Sequence, residues 1–323
     1  MPTRSSLPRI AVVGVGHMGR FHVEKLAQLA GEGVIELAGV CDRDAARAAE
    51  VAQKFGTRVI GSVAEIARQA DAAIVAVHTS EHARVAEELL ESGVDCLVEK
   101  PIATTRAEAR RLVDTARARG RILQVGHIER FSRAFRAIRP ALGRPRFVEA
   151  HRIGPYPARA TDVSVVLDLM IHDLDIVAEL AGGEAERVEA VGVPVLSKTE
   201  DIANARLRLV GGCVVNLTAS RVSLERLRKV RLFQSDAYVS LDLGENKITL
   251  VRREGVPGEG EAPRIVVEKL EFDAADALLL QDRAFAECVR TRAEPEVSGA
   301  DGVRALELAL RIQEAIEPIE AGG

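Results

Sequence analysis

Residues 9–19 read RIAVVGVGHMG. A short β-branched run leads into Gly14-Val15-Gly16-His17-Met18-Gly19, and helical periodicity takes over from residue 17. Few backbones satisfy that order. The strand is too uniformly apolar to lie at a surface, the glycines allow a turn with no room for side chains, and the helix begins with unpaired N–H groups. A second strand ending in an acid, IELAGVCD at 35–42, follows. In that setting GxGxxG is a dinucleotide-binding turn, with a pyrophosphate on the helix N-terminus and Asp42 placed for the ribose hydroxyls. Asp42 suits NAD and repels a 2′-phosphate, whereas the adjacent Arg43 can pair with one. NAD is the expected cofactor, with NADP left open.

Further strands at 72–79, 96–100 and 122–127 alternate with helical patterns at 80–92 and 104–119. Such alternation predicts a parallel sheet covered on both faces. From about residue 145 the texture changes to short strands joined by tight turns, with Gly211-Gly212 marking a hairpin. Residues 203–234 alternate apolar and polar, which predicts an antiparallel sheet with one covered face, and a helix at 165–181 is the candidate cover. Two helices, near 275–291 and 300–316, close the chain. The expected class is α/β: an N-terminal doubly wound Rossmann domain at 1–124, then a substrate-binding α+β domain at 125–323 with an open, mostly antiparallel sheet.

Composition narrows the function. The 323 residues fit two domains, and a net charge of −4 without a basic block gives nucleic acid or an anionic membrane no electrostatic foothold. No apolar stretch reaches the ~18 residues of a membrane span. The first residues lack a signal-peptide layout, and Cys41, Cys96, Cys213 and Cys288 are scattered without zinc spacing. These features read as a cytoplasmic protein with a small-molecule substrate.

Three further motifs bear on chemistry. In HTSEHARVA (78–86), Thr79 or Ser80 is a candidate helix cap, with Glu81 and His82 in the first turn, at the strand end where α/β sheets bind ligands. A cap without ligand contact explains the same residues. Glu99-Lys100-Pro101 ends another strand, where a lysine needs a task or a carboxylate partner. VLDLMIHDLDIVAEL (166–180) is an apolar helix carrying three aspartates and a histidine. At 100° per residue, Asp168, His172 and Asp175 lie within about 60° of one another. Lys100 is the expected partner of that stripe. His172 has the ordinary pKa of a general base, and Lys100 can bond the same oxygen and favour a developing alkoxide. Asp168 would then orient the imidazole or the substrate. Read alone, Asp168 is equally a helix N-cap and His172 a satisfied core histidine. A divalent metal on the stripe is disfavoured by a lysine aimed at it, so no metal is expected.

Taken together, the GxGxxG, the Thr-x-x-His helix start, the EKP and the Asp-x-x-x-His helix resemble the Gfo/Idh/MocA family of nicotinamide-dependent oxidoreductases over essentially the whole chain. The resemblance implies cofactor contacts from Gly14, Gly16, Gly19, Asp42, Thr79, His82 and Glu99, and His17, Met18, Arg43 and Lys100, which adjoin them, are further cofactor-contact candidates. It maps Lys100, Asp168 and His172 onto catalytic positions, and it implies assembly as a homodimer or homotetramer. Met170 stands where relatives often have glycine, which predicts a narrower pocket. QVGHIERF (124–131) and VVLDLMIHDLDI (165–176) resemble the subgroup that oxidises the 3-hydroxyl of UDP-N-acetylglucosamine, a step toward the 2,3-diamino sugar of some lipid A. A nucleotide-sugar diphosphate requires cations, for which Arg130, Arg152 and Arg159 are candidates, beside substrate contacts from Lys100 and His172. Rival readings are the same oxidation of another sugar, cyclitol or UDP-uronic acid, and a regulator that senses NAD or a sugar without turnover. The retained lysine, histidine and aspartate argue for the enzyme.

Overall fold

The computed structural model describes residues 7–156, 163–255, 264–273 and 275–317. The chain forms two compact units, Met1–Ile128 with Asp276–Val303, and Glu129–Ala275 with Arg304–Gly323.

The first unit is built on strands β1 (Arg9–Val13), β2 (Glu36–Cys41), β3 (Ala72–Val75), β4 (Asp95–Val98) and β5 (Leu123–Val125). They pair in parallel in the order β2-β1-β3-β4-β5. β3, β4 and β5 are buried end to end, as parallel strands under helices must be. The crossovers are α1 (His17–Gly31), α2 (Ala45–Phe55), α3 (Val63–Gln69), α4 (Thr79–Glu91) and α5 (Arg106–Arg119). Local chemistry sets their ends. Asp44 caps α2 through the Arg47 amide, and Thr105 with Glu108 forms a capping box on α5. The order reverses between β1 and β3, which is where an open α/β sheet binds its ligand.

The second unit begins with α6 (Arg133–Ile138) and β6 (Phe147–Ile153). It continues through α7 (Ile171–Ala181), β7 (Ala185–Val193), β8 (Ile202–Leu209), β9 (Val214–Ser220), β10 (Leu227–Phe233), β11 (Ala237–Asp242), β12 (Lys247–Glu254) and β13 (Arg264–Glu271). The sheet order is β13-β12-β11-β10-β6-β9-β8-β7, antiparallel except for the parallel pair β6–β9. Alternate residues of β8 and β9 (Ala203, Ala205, Leu207; Val215, Leu217, Ala219) enter one core with Leu174 and Val177 of α7. The period-2 pattern and the helical cover are both as the sequence predicts.

Two helices follow, α8 (Ala277–Thr291) and α9 (Gly299–Ala315). A single boundary at 124/125 assigns all of this to the second domain. In the structure Asp276–Val303 instead belongs with the first unit. Phe285 and Val289 of α8 share a core with Val23, Leu26 and Leu29 of α1, a match of apolar faces that no local pattern announces.

Candidate active site

The turn after β1 is a backbone cradle. Gly14 has φ +82°, and a Cβ there would stand 2.7 Å from the Ala76 carbonyl oxygen, while one on Gly19 would meet the Gly14 oxygen at 1.8 Å. Side chains are therefore excluded at both positions. Gly16, the N-cap of α1, offers no side-chain cap, and no acid stands in the first turn. The first N–H groups of α1 thus have neither a cap nor a carboxylate competing with a ligand anion, which fits the pyrophosphate of a dinucleotide. Exposed His17 and Met18 follow in the first turn, with His17 edge-on to Phe21 at 4.9 Å.

Asp42 is bonded on both oxygens. Oδ2 accepts from the Val15 amide at 2.8 Å and Oδ1 from the Asp44 amide at 2.9 Å, so the carboxylate ties the glycine turn to the end of β2. Each oxygen keeps a second lone pair for a ribose hydroxyl. Arg43 is exposed. A hollow of about 660 Å³ opens here, lined by Val15, Gly16, His17, Arg20, Arg47 and Glu50. Sequence reading passed over Arg20 and Arg47. Both stand beside carboxylates, Arg20 with Glu50, and Arg47 with Asp44 at 3.1 Å and Asp42 at 3.7 Å.

At the end of β3 the expected cap differs. The N-cap of α4 is His78 and no side chain caps it, so neither Thr79, the first helical residue, nor Ser80 has that role; Ser80 Oγ instead lies 3.0 Å from His78 Nδ1. His82 is buried between two carbonyls, Nδ1 at 2.8 Å from Pro101 O and Nε2 at 3.2 Å from Val77 O. Burial lowers its pKa, and the ring ties the Glu99-Lys100-Pro101 turn to the residues after β3. Glu99 is buried and Lys100 half-buried. Two residues that sequence reading missed surround Glu99: His22 of α1 and Asp282 of α8. The signal was present, because each is a polar residue on a mostly apolar helix face.

In the second unit the helix read as 165–181 starts differently. Val166–Met170 forms a π turn and α7 begins at Ile171. Asp168 lies inside the π turn, its amide bonded to the Ser164 carbonyl at 3.0 Å, so it is not the N-cap. The wider turn also breaks the 100° arithmetic that aligned Asp168 with His172 and Asp175. Asp168 and His172 are both half-buried. Met170 is fully buried and belongs to the apolar core, so it does not narrow a pocket as expected.

Three carboxylates of this helix, Asp173, Asp175 and Glu179, find cationic partners within the unit, so Asp175 of the expected stripe is matched by Arg130. Arg130 Nε and Nη2 reach Asp175 Oδ2 and Oδ1 at 2.7 and 3.0 Å, and Nη1 reaches Glu179 at 2.8 Å. Arg152 grips Asp173 in the same two-pronged way at 3.1 and 2.8 Å and Glu129 at 2.7 Å. Burial opposes the charge of Arg152, but Asp173 and Glu129 outweigh it and raise its pKa. Both guanidiniums are buried and committed to the protein's own carboxylates, so neither is the diphosphate contact anticipated for it. Arg159 lies outside the described residues.

Comparison with known proteins agrees with this anatomy. Residues 8–127 match a family described as an oxidoreductase family with an NAD-binding Rossmann fold, and 136–239 match a GFO/IDH/MocA C-terminal domain. The chain is 38% identical over 312 residues to the UDP-N-acetylglucosamine 3-dehydrogenase of Acidithiobacillus ferrooxidans, covering 96% of this chain and 97% of that one. A solved structure of that enzyme superposes with a TM-score of 0.88 at 37% identity, again over 96% and 97% of the two chains. Levoglucosan dehydrogenase in complex with NADH and L-sorbose shares the fold, with a TM-score of 0.84 at 16% identity over 96% of each chain.

Proposed function

The chain belongs to the Gfo/Idh/MocA family of NAD-binding oxidoreductases, and from that premise we propose that it oxidises the 3-hydroxyl of UDP-N-acetylglucosamine to the 3-keto sugar. One observation carries the substrate: identity of 38% sustained over 96% of the chain with a dehydrogenase of that name. NAD, when bound, supplies the hydride acceptor. His172 is the base that takes the hydroxyl proton, a role suited to an imidazole on a rigid helix. Lys100 donates a hydrogen bond to the same oxygen and favours the alkoxide as it develops. Asp168, presented by the π turn, orients the imidazole or the sugar. Gly14, Gly16, Gly19, Asp42 and Glu99 hold the cofactor, while His82 acts behind them by fixing the turn that carries Lys100.

The protein works as a homo-oligomer joined through the uncovered face of its large sheet. Exposed Val191 and Val193 on β7 and Ile265 and Val267 on β13 support that reading. Four buried free thiols and a nucleotide cofactor support a reducing, cytoplasmic setting.

The test is NADH formation at 340 nm from NAD and UDP-N-acetylglucosamine, with wild type and His172→Ala side by side. A trap for the ketone, or a coupled aminotransferase, draws the reaction forward. Signal from wild type and a loss of at least about 100-fold in the variant is the expected result. Silence from wild type that binds NADH normally would remove this substrate and turn the search to free sugars and UDP-uronic acids.

A further inference from the structure

α1 buries Gly19, Val23, Leu26 and Leu29 on one face, and among them stands His22, with no exposed surface. Its Nδ1 lies 3.0 Å from both carboxylate oxygens of Asp282 on α8, and its Nε2 lies 3.1 Å from Glu99 Oε1 after β4. An imidazole with an anionic acceptor on each nitrogen satisfies both only as the doubly protonated cation. Burial opposes that charge, but Asp282 and Glu99 outweigh it and raise the pKa to about 10. The effect runs the other way on Glu99. Burial resists its ionisation, yet the hydrogen bond and charge of His22, with the charge of Lys100, hold it below the ordinary carboxylate range. The same Oε1 packs so closely on Gly126 that a Cβ there would stand 2.5 Å from it. The Glu99 carboxylate is thus gripped at one oxygen and backed by bare peptide.

We propose that His22 is a positioning residue: a buried imidazolium, anchored by Asp282, that keeps Glu99 ionised and holds its carboxylate in the orientation that serves the cofactor. The proposal rests on the cofactor role given to Glu99 above. The groups that bear on the ionisation of Glu99 are His22 on α1, Asp282 on α8, His82 on α4 and the neighbouring Lys100.

NADH binding to the full chain, followed by nicotinamide fluorescence between pH 5.5 and 8.5, separates the possibilities. Wild type keeps Glu99 ionised throughout and binds with nearly constant affinity. Glu99→Gln, which mimics the protonated acid, binds about tenfold more weakly at every pH. His22→Phe removes the cation but keeps the ring volume, so Glu99 rises into the assay range. That variant binds like wild type at pH 8.5 and like Glu99→Gln at pH 5.5. A His22 that merely filled space would lower Tm without introducing this pH limb. A flat profile at wild-type affinity for His22→Phe, beside a weakened Glu99→Gln, overturns the role of His22 and leaves that of Glu99 standing. Glu99→Gln binding as well as wild type overturns the cofactor role of Glu99, and the proposal falls with it. Wild-type protein gives an independent reading should His22→Phe not fold: imidazole ¹⁵N resonances at pH 8 should show both His22 nitrogens protonated, and a neutral ring there overturns the proposal.

Discussion

At the scale of single residues, Lys100 makes the sharpest prediction. It follows a buried strand and directly adjoins Glu99, while Asp175 and Asp173 of α7 are matched by Arg130 and Arg152. Its charge also bears on the neighbouring buried Glu99. Lys100→Met should lower kcat by about 100-fold or more while the Kd for NADH changes less than threefold, measured by turnover at 340 nm and by fluorescence titration. Unchanged turnover in that variant would dismiss the residue from the mechanism. The motifs that line up with strand ends (Gly14, Asp42, Glu99, Lys100) were legible in the sequence because each sits at a fixed distance from a local pattern. The partners that set the ionisation of Glu99 were not. His22 and Asp282 are 260 residues apart, and only the tertiary fold brings them together.

At the scale of elements, the apolar helix at 165–181 shows where periodicity stops informing. Its existence and its buried faces are plain in the sequence, but the π turn at Val166–Met170 is an insertion in hydrogen-bond register that side-chain spacing does not encode. Its buried carboxylates also demanded cations, which arrive from 21 residues away for Arg152 and 45 for Arg130. These pairs fix the helix that carries His172. Removing one guanidinium leaves buried carboxylates uncompensated, which costs about 3–5 kcal/mol where such pairs are broken. Arg152→Met should accordingly lose about that much stability in urea denaturation, because Asp173 and Glu129 both depend on it. A loss below about 1 kcal/mol would mean that neighbouring groups or water take over.

At the scale of the whole molecule, the two units differ in how their folds are written along the chain. The antiparallel sheet is a run of chain neighbours except around β6, which pairs with β10 on one side and in parallel with β9 on the other. The NAD-binding unit has local strand–helix–strand order, yet its core is incomplete until Phe285, Ala286 and Val289 arrive. Burial of such side chains contributes about 1.5–3 kcal/mol each for the larger ones. Residues 1–128 expressed alone should therefore lack a cooperative thermal transition by circular dichroism, and joining residues 276–303 to them should restore it. A cooperative transition in the shorter fragment would show that α8 adds to a core already sufficient. The return of Asp276–Val303 also has a consequence in time. The ribosome emits the glycine turn before either sheet is complete, but Asp282 emerges only after the whole sheet of the second unit. The unit that carries the glycine turn is thus finished only after the second unit's sheet has emerged, and a nascent chain stalled before residue 276 would carry the motif without the helix that packs on α1.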